Sequence, residues 1–140
     1  MKEKVMELMK ARFQKGCLIA MATSRQNIPS VRAVNTYYLD GAFYIITDAR
    51  SGKMQDVAVN PNVALCGQEF NGHGVAENLG HVLLPENMEL MAVLRDALSE
   101  WYDYGHVDEA DVNTILLRIR MKDGVLMDGE AGVKYEIDFF

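Results

Sequence analysis

The chain has 140 residues, of which 49% are hydrophobic and 24% charged, and its net charge is −6. These values predict one globular domain with a core of its own, and the acidity argues against nonspecific nucleic-acid binding, which needs a basic surface. No stretch approaches 18 uncharged apolar residues, so no membrane helix is expected; residues 1–15 are charged throughout and lack the apolar run of a secretory signal, which makes the cytoplasm the expected location.

In chain order, Val5, Leu8, Met9 and Phe13 are spaced as one face of a helix over 2–14, with Gly16 as its stop. CLIAMATS (17–24) is a short apolar run without a helical stripe and predicts a mostly buried strand. SVRAVNTYYL (30–39) and AFYIIT (42–47) flank Asp40-Gly41, a strong short-range hairpin signal. Residues 51–60 then have the length of a short helix, with Ser51 as N-cap and Asn60-Pro61 as its end. NVALCGQEF (62–70) and HGVAENLGHVLL (73–84) predict two strands around a turn at Asn71-Gly72. Pro85 opens a helix that runs to Tyr104, with Met88, Met91, Leu94 and Leu98 on one stripe. Residues 114–128 predict two strands around Lys122-Asp123-Gly124, and 133–140 a last strand. Hairpins dominate and βαβ alternation is absent, so the expected fold is mainly β, an antiparallel barrel with peripheral helices.

Cys17 and Cys66 lie in apolar runs and read as buried free thiols, with no C-x-x-C pair. His73, His81 and His106 have no metal-ligand spacing, so no metal is expected. Asp96, Glu100 and Asp103 read as a solvated helix face, and Trp101, Tyr102 and Tyr104 as packing residues, the alternative being that they stack on a ring. No residue stands out as a general acid or base.

The chemistry concentrates in ITDARSGKMQDVAVNP (46–61). Gly52-Lys53 is followed by Met54 and Thr47 stands where a P-loop has glycine, so this is not a Walker A loop. Two readings remain. A helix starting at Ser51, with Arg50 and Lys53 beside it, attracts an anion; alternatively, Ser51 is a plain N-cap followed by solvated cations. Counting outward from Asp40-Gly41 pairs Arg32 with about Ala49, which gathers Arg32, Arg50, Ser51 and Lys53 in one neighbourhood. A bound phosphate would supply the counter-charge.

Several of these features occur in a set order: Gly16 and the strand 17–23; Pro29, Arg32 and Val34; Asp40-Gly41, Phe43, Tyr44 and Thr47; Ser51 and Lys53; Asn60-Pro61, Val63, Ala64 and Leu65. Over residues 1–84 this order resembles the pyridoxamine 5′-phosphate oxidase-like FMN-binding split-barrel family. The resemblance implies a six-stranded antiparallel split barrel over 1–140, a homodimer, and FMN at its interface. It implies phosphate contacts from Arg32 and Lys53, ring contacts from Ala33, Val34 and Asn35, and polar contacts to the phosphate and ribityl end from Thr47, Asp48, Ser51 and Gly52. It further implies an oxidoreductase acting on a small redox substrate or a nicotinamide donor. Departures from the oxidase argue against pyridoxamine 5′-phosphate as substrate. Gly52 replaces an arginine, for which Arg50 is the available substitute. Val75 replaces a glutamine, and the end VKYEIDFF is short and acidic. The alternatives are a flavin binder without turnover, a haem, deazaflavin or pyridoxal phosphate binder on the same scaffold, and a structural dimer.

Overall fold

The computed structural model describes residues 2–139. Helix α1 (Lys2–Phe13) leads into strands β1 (Cys17–Arg25), β2 (Ile28–Leu39) and β3 (Ala42–Asp48), then helix α2 (Gly52–Val59). Strands β4 (Asn62–Gly67) and β5 (Phe70–His81) follow, then helices α3 (Met88–Ala97) and α4 (Ser99–Asp103), and strands β6 (Thr114–Asp128) and β7 (Val133–Asp138). All pairings are antiparallel, in the order β3-β2-β1-β4-β5-β6-β7. A ladder between β3 and β6 closes the first six into the expected barrel, and β7 continues along β6 beyond the end of β3.

One discontinuity shapes everything that follows. The β2–β3 hairpin turns at Asp40-Gly41, whose φ angles of 47° and 84° are those such a turn demands. Its ladder holds only Leu39–Ala42, Tyr38–Phe43 and Tyr37–Tyr44. Beyond Tyr37 β2 follows β1, and beyond Tyr44 β3 follows β6, so the two strands part. The expected pairing of Arg32 with Ala49 therefore does not form.

The barrel interior is packed around Phe13, Phe43 and Phe70, whose rings meet at 5.4–6.1 Å between centroids. Phe13 comes from α1, where Val5, Met9 and Phe13 at four-residue spacing form the buried stripe. Arg12 fastens that helix by donating to the carbonyls of Gln68 and Met127, both at 3.1 Å. A second apolar cluster lies outside the barrel wall, where Met91, Leu94 and Leu98 cover Tyr44, Ile46 and Leu116. With a core on either side, Ala42–Ile46 is buried at every position, which accounts for its unbroken apolar run.

Several sequence expectations shift. The β4–β5 turn is Gln68-Glu69, not Asn71-Gly72; Gly67 pairs with Phe70, and Glu69 takes φ 48°. Gly72 lies inside β5 because a Cβ there would run into the Asp123 carbonyl of β6. Residues 114–128 are one strand, bent where Lys122 has no partner between the His73–Asp123 and Gly74–Met121 pairs. The 85–104 helix is three pieces: a 3-10 turn at Pro85–Asn87, then α3 and α4, broken at Leu98. Met88 falls off the stripe and is exposed. β1 buries only alternate residues, leaving Leu18 65% exposed, and the same alternation turns Cys66 outward in β4. Both thiols are free, with Cys17 half-buried.

Candidate functional site

Where β2 and β3 part, a cavity of about 450 Å³ opens. Ala33, Val34 and Asn35 line it from β2, Ile45, Ile46, Thr47 and Asp48 from β3, and Lys53 from α2. The volume suits a cofactor-sized ligand, since such sites span roughly 300–1,000 Å³. Strand edges without a neighbouring strand also present backbone N–H and C=O groups that a polar ring system can use.

Lys53 supplies the charge. Its Nζ donates to Thr47 Oγ1 at 2.6 Å, and burial, reinforced by the nearby charge of Arg32, lowers its pKa from 10.5. An anion beside it would reverse that shift. Ser51 occupies the N-cap of α2 with extended backbone (φ −65°, ψ 159°) but makes no side-chain capping bond. Its Oγ is buried without a hydrogen-bond partner, an unmet need at a helix start that has no acidic side chain in its first turn. Around Gly52 a side chain would meet nothing within 4 Å, so the backbone there is unobstructed. An unpartnered hydroxyl, a half-buried ammonium and free helix N–H groups are the donor set a phosphate needs, and in that respect these residues fit the phosphate end of FMN.

Ala33, Val34, Asn35, Thr47, Asp48 and Lys53 thus share one wall, with Ser51 and Gly52 at the head of the helix that carries Lys53. Arg32 stands apart. It faces the end of the barrel, where Nη1 donates to Thr23 Oγ1 at 2.6 Å and Nη2 lies 3.8 Å from Asp56. Asp56, buried in α2, also accepts from Thr23 Oγ1 at 2.7 Å and pairs with Arg25 at 3.4 Å. This network packs α2 against β1 and brings the Arg32 charge within reach of Lys53. Arg50 is committed to carboxylates. Its Nε and Nη2 grip Asp48 at 3.0 and 2.8 Å, its backbone N–H donates to Asp48 at 2.7 Å, and Nη2 lies 3.5 Å from Asp111. The guanidinium hydrogen bond holds the Asp48 carboxyl down to about 2. Arg50 is therefore a clasp between the end of β3 and the 108–114 turn, and does not fill the place of an arginine at Gly52.

The remaining wall comes from Trp101, His106, Val107, Asp108, Asp111 and Thr114, of which the sequence suggested only Trp101, as the less favoured ring-stacking alternative. Trp101 and His106 stack, with centroids 5.9 Å apart and planes within 11°. His81 anchors this segment through Nε2 to the Glu109 carbonyl at 2.8 Å, and Arg95 through a two-point pair with Glu109 at 2.8 and 3.0 Å. The available signal was compositional: the chain's one tryptophan sits five residues before a histidine. Among the described residues, no three His, Cys, Asp or Glu side chains cluster so as to hold a metal ion, and no helix is long and apolar enough to cross a membrane.

No protein-family model matches the chain, and no curated protein matches it by sequence. Solved structures do. General stress protein 26 from Bacillus anthracis is 18% identical, with 95% of this chain and 98% of that one covered at a TM-score of 0.70. An FAD-binding protein from Mesorhizobium loti is 16% identical, with coverages of 84% and 90% and a TM-score of 0.68. A Listeria innocua chain with a provisional pyridoxamine 5′-phosphate oxidase assignment is 12% identical, with coverages of 88% and 94% and a TM-score of 0.62. A heme binding protein from Mycobacterium smegmatis and an F420 reductase share the fold as well. The chain has the split-barrel fold of these proteins.

Proposed function

We propose that the chain binds FMN in the cavity between β2 and β3 and works as a homodimeric oxidoreductase. The observation that carries this reading is the buried, unpartnered Ser51 Oγ at the head of α2, on the helix that also bears the half-buried Lys53. In this reading Ser51, the first N–H groups of α2 and Lys53 hold the phosphate, with Gly52 leaving the backbone open. Arg32 adds charge from behind, kept in place by Thr23 and Asp56. The edges of Ala33, Val34 and Asn35, with Thr47 and Asp48, orient the ribityl and ring portions. FMN, when bound, supplies hydride and electron transfer; the chain's part is binding, orientation and exclusion of water. The substrate is a small redox-active molecule or a nicotinamide donor, and Val75, where the oxidase has a glutamine, argues against pyridoxamine 5′-phosphate.

A second copy finds a suitable surface on the outer face of β1, β2 and β4. There Leu18 and Val31 are 65% and 71% exposed, around a floor of Ala20, Ala22 and Ala64. Light scattering is expected to return twice the chain mass.

The test is FMN titration of the purified protein, followed by flavin absorbance, then anaerobic addition of NADH or NADPH. Saturable binding of one FMN per chain is expected, with bleaching on reduction. Absence of binding overturns the reading, and binding without bleaching leaves a flavin carrier. A haem reading has one specific support, the His106 imidazole on the cavity wall; a Soret band in place of flavin absorbance would select it.

A further inference from the structure

We propose that Trp101 and His106 form the seat for a planar heteroaromatic substrate ring, uncharged or cationic, in the same cavity. The inference rests on the reading of that cavity as a cofactor and substrate site, and it names what the second occupant is. Both rings line the 450 Å³ space that the edges of β2 and β3 also line, so a ring lying on them sits in the same chamber as whatever those edges hold. They are already parallel, 5.9 Å apart, and Trp101 is braced edge-on by Tyr102 at 6.0 Å and 86°. A stacked ring pair at a cavity wall presents a π face outward, which attracts flat rings, and cationic ones more strongly.

The seat is also held in advance of binding. Arg95 and His81 fix Glu109 from one side, and Arg50 ties Asp111 to the end of β3 from the other. Preorganisation of this kind lowers the cost of ordering the wall around a ligand. The charges on the wall set the sign of the ligand. Asp48, Asp108 and Asp111 line the cavity together with the aromatic pair, and among the described residues Lys53 is its only lysine or arginine. Arg50 offsets one charge of the Asp48 and Asp111 pair, so with Lys53 engaged by a phosphate the surplus on this wall is still negative, and an anionic ring is disfavoured.

Trp101 is the chain's one tryptophan, so intrinsic emission reports this seat directly. The FMN-loaded protein is titrated with 1-methylnicotinamide and separately with nicotinate, two flat rings of similar size and opposite charge. Retention of each probe is measured in parallel by equilibrium dialysis. The expected result is saturable quenching by 1-methylnicotinamide, with an affinity at least about tenfold above that for nicotinate. Trp101→Leu is expected to cut retention of the cation about tenfold, and Trp101→Phe to recover most of it, in line with the usual cost of removing one stacking partner. His106→Ala is expected to cut retention about threefold, FMN affinity staying within threefold throughout. Equal retention of both probes, or full retention by Trp101→Leu and His106→Ala, overturns the proposal. FMN uptake without probe retention overturns this inference alone. Probe retention without FMN uptake overturns the FMN reading and leaves the aromatic seat standing.

Discussion

The cavity has two walls built on different principles. The β2–β3 side belongs to the barrel: its strands are paired with β1 and β6 along their far edges, and Val34 and Ile45 are anchored in the interior core. The 101–114 side is appended. It rests on the outer cluster of Met91, Leu94 and Leu98 and is held besides by point ties, among them Arg95, His81, Arg50 and the Ala49 N–H to the Asn113 carbonyl. A wall held by strand ladders moves only if the barrel opens, whereas one held by point contacts can be loosened by a single substitution. In the function proposed, gripping an anion falls on the first wall, and the choice of a second ring falls on the other.

The largest predicted effect comes from attacking the core of the barrel that carries the first wall. Phe43 is fully buried at the centre of the aromatic core, and Phe43→Ala is expected to cost about 3–5 kcal/mol in denaturant unfolding. A loss under about 1 kcal/mol would contradict the packing described. Next comes the anchor. Lys53→Ala should weaken FMN binding by about 1.5–3 kcal/mol with the unfolding midpoint nearly unchanged, as expected for one charge-assisted contact. The same lysine sets a pH limit. Only its protonated form grips phosphate, and its pKa lies below the ordinary 10.5 because it is buried beside Arg32. FMN affinity should therefore fall as pH rises through that lowered pKa, and Lys53→Arg should extend binding to higher pH; identical pH profiles would remove Lys53 from the site.

The appended wall is fastened to the end of β5 through Asn87, whose buried amide donates to the carbonyls of Leu79 and His81, both at 3.0 Å. Asn87→Ala should cost about 1–3 kcal/mol. Hydrogen exchange should accelerate over 88–111 and leave β1–β3 protected; uniform acceleration would mean the two walls are one cooperative unit. The smallest effect is the most discriminating. Ser51→Ala should lower FMN affinity by about 1 kcal/mol while leaving stability within about 0.5 kcal/mol, because the hydroxyl makes no capping bond to lose. A stability loss larger than the affinity loss would return Ser51 to the role of an ordinary N-cap.

Legibility in the sequence followed how local each feature is. Asp40-Gly41 was readable because its turn chemistry is complete within two residues. Asn71-Gly72 carries the same signal for another reason, the close approach of β6, which only the folded sheet reveals. The Ser51–Lys53 stretch announced itself because cap, glycine and cation are adjacent in the chain. Arg32 was assigned by extending a ladder that stops at Tyr37, and its true partners, Thr23 and Asp56, lie on β1 and α2. Arg50 looked like a spare cation until Asp48, two residues earlier, proved to hold it. Trp101 reaches the cavity only because the helix breaks at Leu98, and the Met91–Leu94–Leu98 stripe gives no warning of that break.

β6 is a single 15-residue strand that pairs with β3, β5 and β7. As the chain leaves the ribosome, the residues proposed to hold the cofactor emerge within the first 53 positions, while the strand that supports β3 arrives only at 114–128. Until then β3 carries an apolar run with an unmet edge, a form prone to wrong pairing. The β3–β6 ladder spans more than 60 residues of chain, and such nonlocal closure is slow to form because loop entropy must be overcome before its contacts accumulate. Closure of the barrel beside these residues thus waits on β6, and a chain truncated before β6 would present residues 33–53 without the barrel that shapes them.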